Sequence, residues 1–210
     1  MKTYQMMTTV HVIFTLAAFV CGAIAILANA KGGALHKKSG RLYWYCYLGV
    51  ILTAFGMLVL NFKFFFFALT LFGTYLLLAG YHYARQNGKL VPRNGWILSL
   101  LVLTALVYLT DVFFVLYNFE DIGLGWTIVR LTFALIAFGV LIFEFSIKRN
   151  RVLLHAVVML LSFVPLLNGL LARIAPSEFV WLSWIAGYLI GIPLIFLWFK
   201  QSKKLQILIS

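Results

Sequence analysis

Four histidines and a few charges are set into otherwise apolar sequence, and any chemistry must reside with them. His36, His82 and His155 each fall at the edge of an apolar run, beside a basic cluster, so they are expected at one level of the molecule. Neutral imidazole ligates zinc and haem iron. Three at one level therefore point to a divalent metal or a single b-type haem, with Glu144 about one turn deeper. The spacing has no HxxxH or HExxH pattern, and histidines at helix ends serve equally well as interfacial or headgroup-contacting groups. A second haem would need a ligand pair at the other end, where only His11 is available, so one haem is the upper bound.

A second set of ionisable residues lies within the apolar runs, where each costs on the order of 2.5 to 3.5 kcal/mol at mid-bilayer. Asp111 and Arg130 fall at similar depth, which predicts a charge pair between the fourth and fifth helices. His11 and Arg173 fall at the same level, and the four together would form an outward polar pocket. The same residues read equally well as a structural ion pair with a snorkelling arginine. Serines are few and none is paired with a recognisable base. There is no phosphate-cradling glycine loop, so a hydrolase or nucleotide-driven pump is excluded as the leading class.

The elements that must position these groups follow from composition. Of 210 residues, 64% are hydrophobic and 10% charged, with a mean hydropathy of +1.02. A soluble domain needs roughly 25% charged residues to cover its surface, so this chain belongs in lipid. Its net charge of +12 would suggest nucleic acid in a soluble protein. Here the cations cluster between apolar runs, which assigns them to membrane loops and excludes nucleic acid. Cys21 and Cys46 lie inside apolar runs without a CxxC spacing and read as small buried hydrophobes.

The runs predict an all-α, seven-helix transmembrane bundle forming one domain, with helices at about 9–29, 42–60, 64–83, 95–117, 124–146, 152–172 and 178–199. The stretch 42–81 would be about 60 Å long as one helix, twice the hydrocarbon thickness. It is therefore divided at Asn61-Phe62-Lys63. Ala28-Asn29-Ala30 imitates a signal-peptidase site, but the cations following it predict a retained helix. Pro165 predicts a kink in helix 6, and Ser177 a cap for helix 7. Small or polar stripes predict where helices meet: His11, Thr15, Ala18, Gly22, Ala25 and Asn29 in helix 1, Cys46, Gly49, Thr53 and Gly56 in helix 2, and Gly187 with Gly191 in helix 7.

Thirteen of the seventeen basic residues fall on one side of this arrangement, in the loops containing Lys31, Lys37, Lys38, Arg41, Arg85, Lys89, Arg93, Lys148, Arg149 and Arg151 and at Lys200, Lys203 and Lys204. Asp111, Glu120, Asp121 and Glu178 fall toward the other. The positive-inside rule then places the N-terminus outside and the C-terminus in the cytoplasm. Residues 31–43 read as a polar loop, freed by Gly32, Gly33 and Gly40, in which Lys31, Lys37, Lys38 and Arg41 contact anionic headgroups.

His11, the Lys31-Gly32-Gly33…His36…Gly40-Arg41…Tyr43 stretch and Gly80-Tyr81 resemble a family of bacterial multi-pass membrane proteins of unknown function. The resemblance covers about residues 8–85. It implies an integral inner-membrane location and no particular activity. Three functions remain in view: a histidine-ligated metal or haem redox protein, a small-ligand binder or transporter with an outward pocket, and an assembly or scaffold protein that docks a membrane-protein partner.

Overall fold

The computed structural model describes residues 2–28, 32–86, 94–118, 123–146 and 151–201. Among them all regular structure is helical: α1 (Lys2–Leu27), α2 (Ala34–Leu60), α3 (Phe64–Arg85), α4 (Gly95–Tyr117), α5 (Leu124–Ser146), α6 (Arg151–Ile174), a 3-10 turn (Ser177–Phe179) and α7 (Val180–Gln201). Of these, α1 to α6 are each long and apolar enough to cross a membrane. The expected signal-peptidase site and Lys31 fall partly or wholly outside the described residues, as do Lys89, Arg93, Glu120, Asp121, Lys148, Arg149, Lys203 and Lys204.

The helices pack as a ring in the order α1, α2, α3, α4, α5, α7, α6, with α3 and α6 meeting across its middle. The sequence of α3 explains its central place. Its buried residues include Phe65, Leu71, Phe72, Leu76, Leu77 and Tyr83, which point in every direction around the helix, and a helix apolar all round needs neighbours all round. Two core clusters result. One, containing Phe72, Tyr75, Tyr108, Phe133, Val158 and Tyr188, joins α3 through α7. The other, containing Ala18, Tyr43, Tyr47, Leu77 and Leu166, joins α1, α2, α3 and α6. Outside these, Leu27, Val59, Phe113, Leu135 and Leu189 are exposed, an apolar exterior suited to lipid and not to water.

The small-residue stripes meet their neighbours as expected. Thr15, Ala18, Gly22 and Ala25 are buried. A Cβ at Gly49 would lie 2.6 Å from the Phe14 ring, and Gly191 packs on Val164. Two expectations need correction. The passage 34–43 is helix, so Gly40 lies inside α2 and the turn narrows to Gly32 (φ 81°) and an extended Gly33. The 27 residues of α2 span about 40 Å, longer than the hydrocarbon layer, so its basic first turns can reach the interface while remaining helical. Ser177 caps nothing, since Pro176 precedes the 3-10 turn without a side-chain cap and the Ser177 hydroxyl bonds Glu178. Pro165 lies inside α6, as the sequence places it.

Candidate functional site

The end of the bundle where α2 and α6 begin and α1, α3 and α5 finish is called here the basic end. His36 lies in the first turn of α2, and its Nδ1 donates to the Ala25 carbonyl of α1 at 3.0 Å. Ala25 belongs to the last turn of α1, where carbonyls lack intrahelical partners. His155 lies in the second turn of α6, and its Nδ1 donates to the Gly80 carbonyl of α3 at 3.0 Å. Gly80 also lets Met159 of α6 pack close, since a Cβ at position 80 would lie 2.4 Å from the Met159 sulfur. The two imidazoles stand edge to face with ring centroids 6.5 Å apart.

A carbonyl can only accept, so each Nδ1 carries the hydrogen and, in the neutral ring, each Nε2 presents a lone pair. Metal-ligating histidines show the same arrangement, with the non-ligating nitrogen held by a backbone carbonyl.

His82 does not join them. It lies within reach of Gln86 just past the end of its own helix, 3.3 Å from the amide nitrogen, and beside the Tyr83 ring. Two residues beyond Gly80, it points some 200° around α3 from the face that receives His155. The expected trio is therefore a pair, and among the described residues no group of three or more His, Cys, Asp or Glu side chains could hold a metal ion.

Sequence reasoning placed Glu144 near this level but missed its partners. Its Oε1 accepts from the hydroxyls of Tyr75 at 2.8 Å and Tyr83 at 2.5 Å. The two tyrosines stand about two turns apart on α3, a spacing that could have announced a shared acceptor. Arg151 of α6 donates to the Gln86 carbonyl at the end of α3. Lys37, Lys38 and Arg41 are exposed on the opening turns of α2.

At the opposite end the predicted ion pair is present: Arg130 Nη1 donates to Asp111 Oδ1 at 3.2 Å, joining α5 to α4. The other two members of the expected pocket stand elsewhere. His11 Nδ1 lies 2.9 Å from the Thr53 hydroxyl in the α1–α2 seam. Arg173 is exposed, though its charge acts on His11. Depth alone brought these four together on paper. The ring order separates them, because α1 lies across the bundle from α4 and α5. Cys21 and Cys46 hold free thiols that interact across the same α1–α2 seam, a proximity that their separation in sequence does not suggest.

Fold and surface together define a class: an all-helical bundle with six helices of membrane-spanning length and apolarity. Beyond that class, no family model matches the chain, and no curated protein or solved structure shows a match to it.

Proposed function

We propose that the chain threads a bacterial inner membrane seven times, N-terminus outside and C-terminus in the cytoplasm, and binds one transition-metal or b-type haem iron through His36 and His155. The distribution of its basic residues supports the threading. α7 is the seventh span in this reading, at 22 residues about 33 Å long.

The observation that carries the ligand reading is the paired tautomer lock: both Nδ1 atoms are engaged by carbonyls from neighbouring helices, which leaves two Nε2 lone pairs on adjoining rings. Two imidazoles suit zinc, copper or iron, and leave the remaining coordination positions to water or an incoming ligand. A metal bound there would supply Lewis-acid or redox chemistry close to the cytoplasmic surface. Glu144, held by Tyr75 and Tyr83, adds a carboxylate to the same end of the bundle.

Elemental analysis and an optical spectrum of protein purified from metal- and haem-replete cells test the proposal. Stoichiometric metal, with a Soret band if the iron is in haem, is expected in the wild type and in His82→Ala. It should be lost from His36→Ala and His155→Ala. Wild-type protein free of both metal and haem, or full occupancy in the His36→Ala/His155→Ala double variant, overturns it.

A further inference from the structure

Among the described residues, five buried side-chain polar atoms have no hydrogen-bond partner: Tyr108 Oη, Asp111 Oδ2, Arg130 Nε, Tyr188 Oη and, apart from them on α2, Trp44 Nε1. The first four belong to one seam. Tyr108 stands one turn from Asp111 on the same face of α4, and Arg130 pairs with Asp111 from α5. Phe133, one turn along α5 from Arg130, packs against both tyrosines, with ring centroids 6.3 Å from Tyr108 and 5.1 Å from Tyr188. The Tyr108 hydroxyl interacts electrostatically with Tyr188 and Asp111, and with Tyr47 of α2. Counted along their helices from the end opposite the basic one, Asp111 and Arg130 lie about 9 Å deep and the two tyrosines about 12 to 14 Å deep, at 1.5 Å per residue. Tyr108 and Asp111 are fully buried, and Tyr188 is 2% exposed.

Buried polar atoms in proteins are almost always partnered, by protein or by an ordered small molecule. One orphan can reflect a side-chain rotation; four in one seam call for a shared partner. Their chemistry describes it. The hydroxyls of Tyr108 and Tyr188 and the Arg130 Nε–H can donate, while Asp111 Oδ2 can only accept as a carboxylate. Asp111 and Arg130 cancel in charge, so a net charge on the partner would stand uncompensated in a low-dielectric interior.

We propose that the seam between α4, α5 and α7 is a binding site for a small, net-neutral molecule that both donates and accepts hydrogen bonds, held by Tyr108, Asp111, Arg130 and Tyr188. Ordered water and a polar solute of similar size share that chemistry. This site is independent of the histidine pair, which lies at the other end of the bundle.

Removing a hydroxyl separates the alternatives by sign. The melting temperatures of full-length wild type, Tyr108→Phe, Tyr188→Phe and the double variant are measured in the same detergent. If a bound molecule satisfies the hydroxyls, each replacement lowers Tm, and the double variant falls by less than the sum because both act through one ligand. If the hydroxyls are orphans, each replacement removes a desolvation penalty and raises Tm additively, which overturns the proposal. Mass spectrometry of solvent extracts from wild type and the double variant then identifies the source. A polar organic species found only in the wild type assigns a solute, and lowered Tm values without such a species assign water.

Discussion

Breaking the Asp111–Arg130 pair from one side and then from both sides is the sharpest test of how this bundle holds its charges. Asp111 is fully buried and Arg130 one-fifth exposed, with a single 3.2 Å contact between them. At that separation the attraction is about 5 kcal/mol for an effective dielectric of 20, set against a desolvation cost of several kcal/mol for each ion. Arg130→Met removes the attraction and leaves the cost on Asp111, so it should destabilise the fold by about 3 to 5 kcal/mol. It also removes the guanidinium from the face of Phe65, 5.8 Å from its ring centroid, a contact that contributes about 0.5 to 2 kcal/mol. The Asp111→Leu/Arg130→Met double variant removes attraction and cost together and should lose less than Arg130→Met alone, the remaining loss being that of the contacts to the bound molecule. Unfolding of the purified chain by denaturing detergent, followed by tryptophan fluorescence, reads all four corners of the cycle. A loss below about 1 kcal/mol in Arg130→Met would refute the reasoning, as would a double variant that loses as much as the two single variants combined.

Other outcomes follow from single contacts. Asn168 donates to the Trp184 carbonyl at 2.7 Å and accepts from the Gly187 amide at 2.9 Å, fastening α6 to α7. A Cβ at position 187 would fall 2.1 Å from its Oδ1. Gly187→Ala and Asn168→Ala should each cost about 1 to 2 kcal/mol and combine to less than their sum in a denaturation series. Glu144→Gln keeps an acceptor for the Tyr75 and Tyr83 hydroxyls and should unfold close to wild type, whereas Glu144→Leu leaves both donors without it and should cost about 2 kcal/mol or more. Tyr43 and Ser162 share a buried hydrogen bond of 2.7 Å between α2 and α6, and Tyr43→Phe should lower stability by about 1 kcal/mol in the same assay. For the threading, a cysteine replacing Lys37 in a background with Cys21 and Cys46 changed to Ala should resist impermeant thiol reagent in intact spheroplasts and react after lysis; labelling before lysis would invert the proposed orientation.

Much of this protein was open to a reader of its sequence. The period and length of the apolar runs located the helices to within a few residues at most ends, because lipid leaves the backbone little choice but to bond within the helix. The start of α2 is hidden in the sequence because Ala34-Leu35-His36-Lys37-Lys38 is as polar as a loop. A helix that outruns the hydrocarbon layer carries such residues on its first turns without breaking. The charge pair was also readable, since Asp111 and Arg130 had matching depths on consecutive helices joined by a short connection.

What pattern and depth could not supply was the order of helices around the ring, and the sites depend on it. The apolar runs put His11 and Arg173 at the level of Asp111 and Arg130, yet α1 packs on α2 and α6, away from α4 and α5. His82 shares the level of His36 and His155 but faces another way around α3. Tyr188, three elements beyond Arg130, enters the same seam only because α7 inserts between α5 and α6. Sequence alone therefore determined an all-helical chain built for lipid, with its cations gathered at one end, because hydrophobicity and charge act on each segment separately. Tertiary packing decided which polar groups meet, because a meeting depends on the rotation and neighbours of whole helices, set by where glycines, tyrosines and phenylalanines interlock.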